Sequence, residues 1–178
     1  MLFARTGRRV PKPWVVQLFG EPIHWLDDAR YLWVTLDTWL TWSKHIDQVR
    51  NKAAQVLCTM EPLMNMRSGL SIMNGVLLYK QLIRPIMDYA CPVWRSVARR
   101  HIKKLQFLHS KRLRIANIAH WYVGNRHIHD DLGLPSFSDH IRSLTERFDS
   151  KLAGVGNPIF AQIGRHLCWP SVDLRPPR

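Results

Sequence analysis

Ser68-Gly69-Leu70-Ser71-Ile72-Met73-Asn74-Gly75-Val76-Leu77-Leu78-Tyr79-Lys80-Gln81-Leu82-Ile83-Arg84-Pro85-Ile86-Met87-Asp88-Tyr89-Ala90-Cys91-Pro92-Val93-Trp94 decides how the rest of the chain packs. Ser71 is a good N-cap, because its hydroxyl can accept from a first-turn N–H that the helix itself leaves without a partner. Ile72, Val76, Tyr79, Ile83, Ile86 and Ala90 then alternate steps of four and three, which puts them on one face of a helix. Leu78 and Leu82 widen that face, while Asn74, Lys80, Gln81, Arg84 and Asp88 gather on the other side. The expectation is one long central helix, kinked between Gln81 and Arg84 by Pro85 and ended by Pro92.

Upstream, Ile46, Val49, Ala53, Val56 or Leu57, and Met60 give a helix from Ser43 to Met60, closed by Pro62. Before it, Trp14 to Phe19 is rich in β-formers, Gly20-Glu21-Pro22 is turn chemistry, and Arg30 to Leu36 alternates Leu32, Val34 and Leu36 against Tyr31, Trp33 and Thr35. That predicts a small antiparallel β-unit over 14–37. Residues 1–13 are basic, with Arg5, Arg8, Arg9 and Lys12, and carry no apolar period, so they read as a basic arm.

Downstream, a third helix is predicted from about Val97 to Ala119. Ile102, Leu105, Leu108, Leu113, Ile115, Ala116 and Ala119 share one arc; Arg99, Arg100, Lys103, Lys104, Lys111 and Arg114 share the other, with Phe107 in its midst. A short helix capped by Asn125 follows to Asp131, and Gly133 stops it. Ser136 with Asp139 resembles a capping box before a helix carrying Ile141, Leu144, Phe148 and Leu152, which Gly154 ends. A short helix from Asn157-Pro158 to Leu167 is expected, and 155–178 as a whole reads as an irregular tail. The fold class is mainly α: a helical bundle over 38–154 behind a small β-hairpin.

The chain has 178 residues, enough for one domain with a sizeable core. Lys and Arg total 26 against 13 acidic residues, a net +13, and a field of that sign favours polyanions such as nucleic acid. No run approaches the roughly 18 apolar residues of a membrane span, and no apolar core follows the N-terminal arginines, so an intracellular setting, nuclear or cytoplasmic, is expected with no membrane partner. Cys58, Cys91 and Cys168 form no Cys-x-x-Cys pair, which fits reduced thiols and excludes a disulfide framework or zinc ribbon.

No complete active site is legible. The doublet Asp27-Asp28 could contribute to a two-metal centre, but it lacks a third carboxylate and reads as a solvated turn. His127 and His129, two apart on a helix, point away from one another and read as surface histidines rather than metal ligands. A Gly-rich phosphate loop and a Gly-x-Ser-x-Gly elbow are both absent from the sequence. The basic face of the third helix is the stronger signal: Arg100, Lys103, Lys104, Lys111 and Arg114 would line cations along a phosphate track, and Phe107 could stack on a base.

Arg30-Tyr31-Leu32-Trp33-Val34-Thr35-Leu36-Asp37, Leu40-Thr41-Trp42 with His45-Ile46, Arg84-Pro85, Tyr89-Ala90-Cys91-Pro92-Val93-Trp94, Leu105-Gln106 and Arg112-Leu113-Arg114-Ile115 together resemble the end of a jockey-type non-LTR retrotransposon reverse transcriptase. The resemblance runs from about Trp14 to Trp169. It implies that the β-unit is the final palm hairpin, with Tyr31, Leu32 and Trp33 on the primer side, and that the helices are the thumb and the region beyond. In that family the catalytic aspartates lie further upstream, so no catalytic role passes to Asp27 or Asp28. The resemblance thus implies a polymerase fragment that binds an RNA–DNA hybrid or primer–template duplex without adding nucleotides by itself. Magnesium is expected only in the full-length polymerase, and the remainder of that polymerase is an expected partner. Family members usually have Gly at the position of Trp33, which points to a decayed copy or a re-tasked surface. Two other readings stay open: a non-enzymatic helical module whose basic helix engages nucleic acid or an acidic protein, and a translated transposon relic without function.

Overall fold

The computed structural model describes residues 1, 3, 16–64, 69–116 and 122–155. Most of the basic arm, Trp14, Val15, Ala119, His120, the expected helix from Asn157 to Leu167 and the tail after it lie outside the described residues.

Two separate hairpins stand where one β-unit is expected. Strands β1 (Gln17–Leu18) and β2 (Glu21–Pro22) pair across Phe19 and Gly20, which have φ of 52° and 85°. Strands β3 (Asp28–Tyr31) and β4 (Val34–Asp37) pair antiparallel with Tyr31 opposite Val34. The run from Arg30 to Leu36 is therefore not one strand: Leu32 and Trp33 form its turn, with φ of 45° and 64°. A two-residue hairpin loop needs positive φ at both positions to match the strand twist, and neither side chain announces it. Val34 is buried, but so is Thr35 from the set expected to face away, and Leu32 leaves the predicted alternation at 66% exposed.

Helix α1 (Ser43–Met64) buries Ile46, Val49, Ala53, Leu57 and Met60, as the spacing predicts. It runs past Pro62, which lies in its last turn rather than beyond it. Asp37 joins hairpin to helix: its carboxylate accepts from the Thr41 amide at 2.9 Å, the Thr41 hydroxyl at 2.8 Å and the Trp42 amide at 3.0 Å. Burial acts to raise its pKa, but those donors together outweigh it and hold the carboxyl below its ordinary value.

The central segment is not one helix. Ser71 caps α2 (Ile72–Leu78) by accepting from the Asn74 amide at 3.3 Å. Residues Tyr79–Ile83 then form a π-helical turn, in which the Arg84 N–H reaches back five residues to the Tyr79 carbonyl. The turn gives the expected kink its form: Pro85 can neither donate nor tolerate a tight carbonyl four residues back, and the wider turn accommodates both. Pro85 then sits in the opening turn of α3 (Arg84–Asp88), where a missing N–H costs little. The helix stops at Tyr89 and Ala90, the latter at φ 53°, and Pro92 lies inside α4 (Cys91–Trp94) rather than ending the long helix. Val76, Tyr79 and Ile83 of the predicted stripe are buried, whereas Ile72 at its start is exposed.

Helix α5 (Arg99–Ala116) packs on α1, α6 (Asn125–Asp131) and α7 (Phe137–Ala153). Gly124, not Asn125, is the N-cap of α6, and Gly133 follows it at φ 59°. Ser136 caps α7 through the Asp139 amide at 3.2 Å, and Gly154 ends it. Ile141 and Leu152 are buried there, while Phe148 is exposed. The whole is mainly α, preceded by antiparallel β-hairpins.

Polar residues fill part of the interior. The hydroxyl of fully buried Tyr79 is hydrogen-bonded to His109 Nδ1, and the His109 ring stacks on His129 at 5.0 Å between centroids. His129 is therefore a packed residue and not a surface one; of the predicted surface pair only His127 is exposed. Burial, then the charges of His129, Arg84 and His140, push the His109 pKa from 6.5 down to about 3. Unfolded, His109 takes up a proton near pH 6.5; folded, it does so only near pH 3, so protons favour the unfolded chain in between. Stability should fall as pH drops through that window, by on the order of 2 kcal/mol at a pH of about 4.5. Urea unfolding at neutral and acid pH checks this, and His109→Gln should flatten the acid limb.

The turn makes a second prediction. Leu32 is strained in the left-handed region, its side chain is exposed, and Asn tolerates that backbone better. Leu32→Asn should raise stability by ~0.5 kcal/mol, read as a higher melting temperature.

Candidate nucleic-acid interface

The cations of α5 divide by what they touch. Lys104 Nζ lies 2.5 Å from Asp47 Oδ1 of α1, half-covered between the two helices. Arg114 donates to the Val123 carbonyl at 2.7 Å and to Asn125 Oδ1 at 2.8 Å, holding the entry to α6. Arg112, assigned to neither face by spacing, is buried and donates to the Leu57 carbonyl at 2.6 Å near the end of α1. These three make contacts within the fold, so of the expected phosphate contacts Lys104 and Arg114 are each engaged with neighbouring residues.

Lys103, Phe107 and Lys111 are all exposed, four residues apart, and so stand in one row along α5. Neither lysine has an ion-pair partner among the described residues. Phe107 is 71% exposed between them. Arg99 and Arg100 open the helix beside this row and are also exposed. Arg100 Nε donates to His101 Nε2 at 3.1 Å, and burial, then the neighbouring cations Arg100 and Lys104, hold His101 below its ordinary pKa. Neutral His101 lines the buried side, so the charge of this helix end is carried on its outer face.

Tyr31, Leu32 and Trp33 form the exposed tip of the β3–β4 hairpin. The Arg30 guanidinium lies 4.0 Å from the Trp33 ring centroid and Lys52 Nζ 5.5 Å from it, so the indole is flanked by two cations. Nothing in the sequence links Lys52 to the hairpin; only packing of β4 on α1 brings them together. The Tyr89 hydroxyl donates to the Leu32 carbonyl at 2.9 Å, and Trp94 Nε1 donates to the Tyr89 carbonyl at 2.8 Å. Tyr89 thus straps the hairpin tip to the end of α3. Its bonds are with the hairpin, whereas the α5 row faces solvent.

Asp28, at the foot of the hairpin, is ion-paired to Lys44 at 3.3 Å, and the Asp27 carbonyl accepts from the Thr38 amide at 3.2 Å. The described residues contain no group of three or more His, Cys, Asp or Glu arranged for a metal ion. No described helix is long and apolar enough to cross a membrane.

The fold is a helical bundle with a strapped hairpin and an exposed row of Lys103, Phe107 and Lys111 on α5. The chain is 32% identical over 171 residues to a probable RNA-directed DNA polymerase from transposon X-element of Drosophila melanogaster, a match covering 96% of this chain and 19% of that protein. It is 31% identical over 149 residues to the RNA-directed DNA polymerase from mobile element jockey of Drosophila funebris, covering 84% of this chain and 16% of that one. The chain is thus the counterpart of one segment of the jockey-type non-LTR retrotransposon RNA-directed DNA polymerases. It spans about a fifth or less of the length of the curated relatives it matches. No protein-family profile matches it, and no solved structure does.

Tyr89→Phe tests the strap. Removing one partly exposed hydrogen bond should cost about 1 kcal/mol or less, yet amide exchange at Tyr31 and Val34 should quicken several-fold while that of α5 stays unchanged.

Proposed function

We propose that this chain is the thumb-side part of a transposon RNA-directed DNA polymerase and holds template–primer nucleic acid against the outer face of α5. The observation that supports it most is the exposed row of Lys103, Phe107 and Lys111, whose cations have no acidic partner among the described residues while neighbouring Lys104 does. Unpaired ammonium groups on a rigid helix release condensed counterions when they meet phosphates, and they give up no ion pair in doing so. In this reading the Tyr31, Leu32 and Trp33 tip faces the primer, Arg30 and Lys52 adding charge beside it, and the rest of a longer polymerase supplies nucleotide addition. Nothing in that step is assigned to Asp28, whose carboxylate is neutralised by Lys44.

Binding of an RNA–DNA primer–template should weaken linearly in log salt between about 50 and about 200 mM. Lys103→Gln with Lys111→Gln should lower affinity and reduce the slope by roughly 1.4–1.8, at about 0.7–0.9 for each phosphate no longer neutralised. Lys104→Gln should instead destabilise the packing of α1 on α5 and leave the slope nearly unchanged. Binding that heparin abolishes but a defined primer–template does not compete for would favour an acidic protein partner.

A further inference from the structure

The row on α5 contains one residue that a backbone-tracking surface does not need. Phe107 cannot donate to a phosphate, and it is 71% exposed. A cation at its place would extend the charge row from Lys103 to Lys111 without a break. What the aromatic supplies instead is a flat apolar face held between two ammonium groups.

Inside a duplex, both faces of a base are covered by its stacked neighbours, so a side chain on the outside meets only sugars and phosphates. A base offers a free face to an aromatic ring only when it is unpaired or terminal. Lys103 and Lys111 are eight residues apart on α5, ~12 Å along the axis. Phe107 sits midway, so a nucleotide stacked on it would have a flexible ammonium group on each side for its flanking phosphates. Lys104 and Arg114 are turned away into an ion pair and hydrogen bonds, which leaves Lys103, Phe107 and Lys111 in single file.

Resting on the reading of this face as a nucleic-acid surface, we propose that Phe107 makes it a site for unpaired nucleotides: the row takes the single-stranded stretch of the template beside the duplex, not the paired stretch. Phe107 stacks on one base while Lys103 and Lys111 hold the phosphates on either side.

Fluorescence anisotropy of the full 178-residue chain tests this with three ligands of matched length: an unpaired RNA strand, a blunt RNA–DNA duplex, and that duplex with a single-stranded template overhang. Phe107→Ala should weaken binding of the unpaired strand and the overhang ligand about tenfold, and change the blunt duplex less than about twofold. Phe107→Trp should keep the preference, because the larger ring still stacks. Because Phe107 is exposed, neither change disturbs the core. Lys103→Gln with Lys111→Gln should weaken the unpaired strand and the overhang ligand, and the blunt duplex less. Equal weakening on all three with Phe107→Ala, or none on any, overturns the role of Phe107 but leaves the basic face standing if the lysine pair still reduces affinity. Failure of the unaltered chain to bind any of the three overturns both.

Discussion

A proline has no N–H to give, and at Pro85 that single absence shapes the middle of this protein. An unbroken α-helix through that point would press the ring against the Gln81 carbonyl. The chain opens into the π turn of Tyr79–Ile83 instead, and α3 begins afresh with the proline in its first turn. The wider turn keeps Tyr79, Ile83 and Met87 all pointing inward, and it delivers the Tyr79 hydroxyl to His109 at the heart of the bundle. The docking of α6 and α7 on α5 centres on that meeting, since His109 in turn lies against His129 of α6 and Phe137 of α7.

The residues that carry the resemblance to transposon polymerases prove to be joints. Asp37 accepts from Thr41 and Trp42, Thr35 donates its amide to His45 at 3.4 Å, Tyr89 holds Leu32, Trp94 holds Tyr89, and Gln106 Oε1 accepts from the Phe137 amide at 2.8 Å. Arg84 and His140 converge on Asp88, the histidine at 2.6 Å. Apart from the Arg84–Asp88 pair within α3, these bonds tie one part of the chain to another and fix relative positions. The row of Lys103, Phe107 and Lys111 is made of residues outside those motifs and stands out only once burial is known.

Much of this was legible beforehand because it depends on spacing along one element. The buried faces of α1 and α5, the Ser71 and Ser136 caps and the Gly133 and Gly154 stops follow from a 3.6-residue period and from local hydrogen bonding. The hairpin turn was not legible: Leu32 and Trp33 lack the Asn-Gly chemistry that marks positive φ, and alternation across the turn imitates a continuous strand. Nor was the burial of His45, His101 and His109, because a histidine is ambivalent and only the packing of other elements around it decides whether it goes inside. Sequence placed six cations and an aromatic on one arc of α5, but an arc cannot tell a solvent-facing lysine from one that meets an aspartate on a neighbouring helix.

Sequence by itself determined the helical class, the capped and kinked central segment, the strong positive charge and the kinship with a segment of jockey-type polymerases, since each is a property of residue order or of one element. Tertiary structure alone decided that Lys104 meets Asp47, that Tyr89 straps the hairpin, and that Phe107 stands open between two lysines without ion-pair partners among the described residues. Those outcomes turn on pairs of residues tens of positions apart, 57 for both Tyr89 with Leu32 and Lys104 with Asp47. Periodicity says which way a side chain points from its own helix; what it meets there is set by the packing of the others.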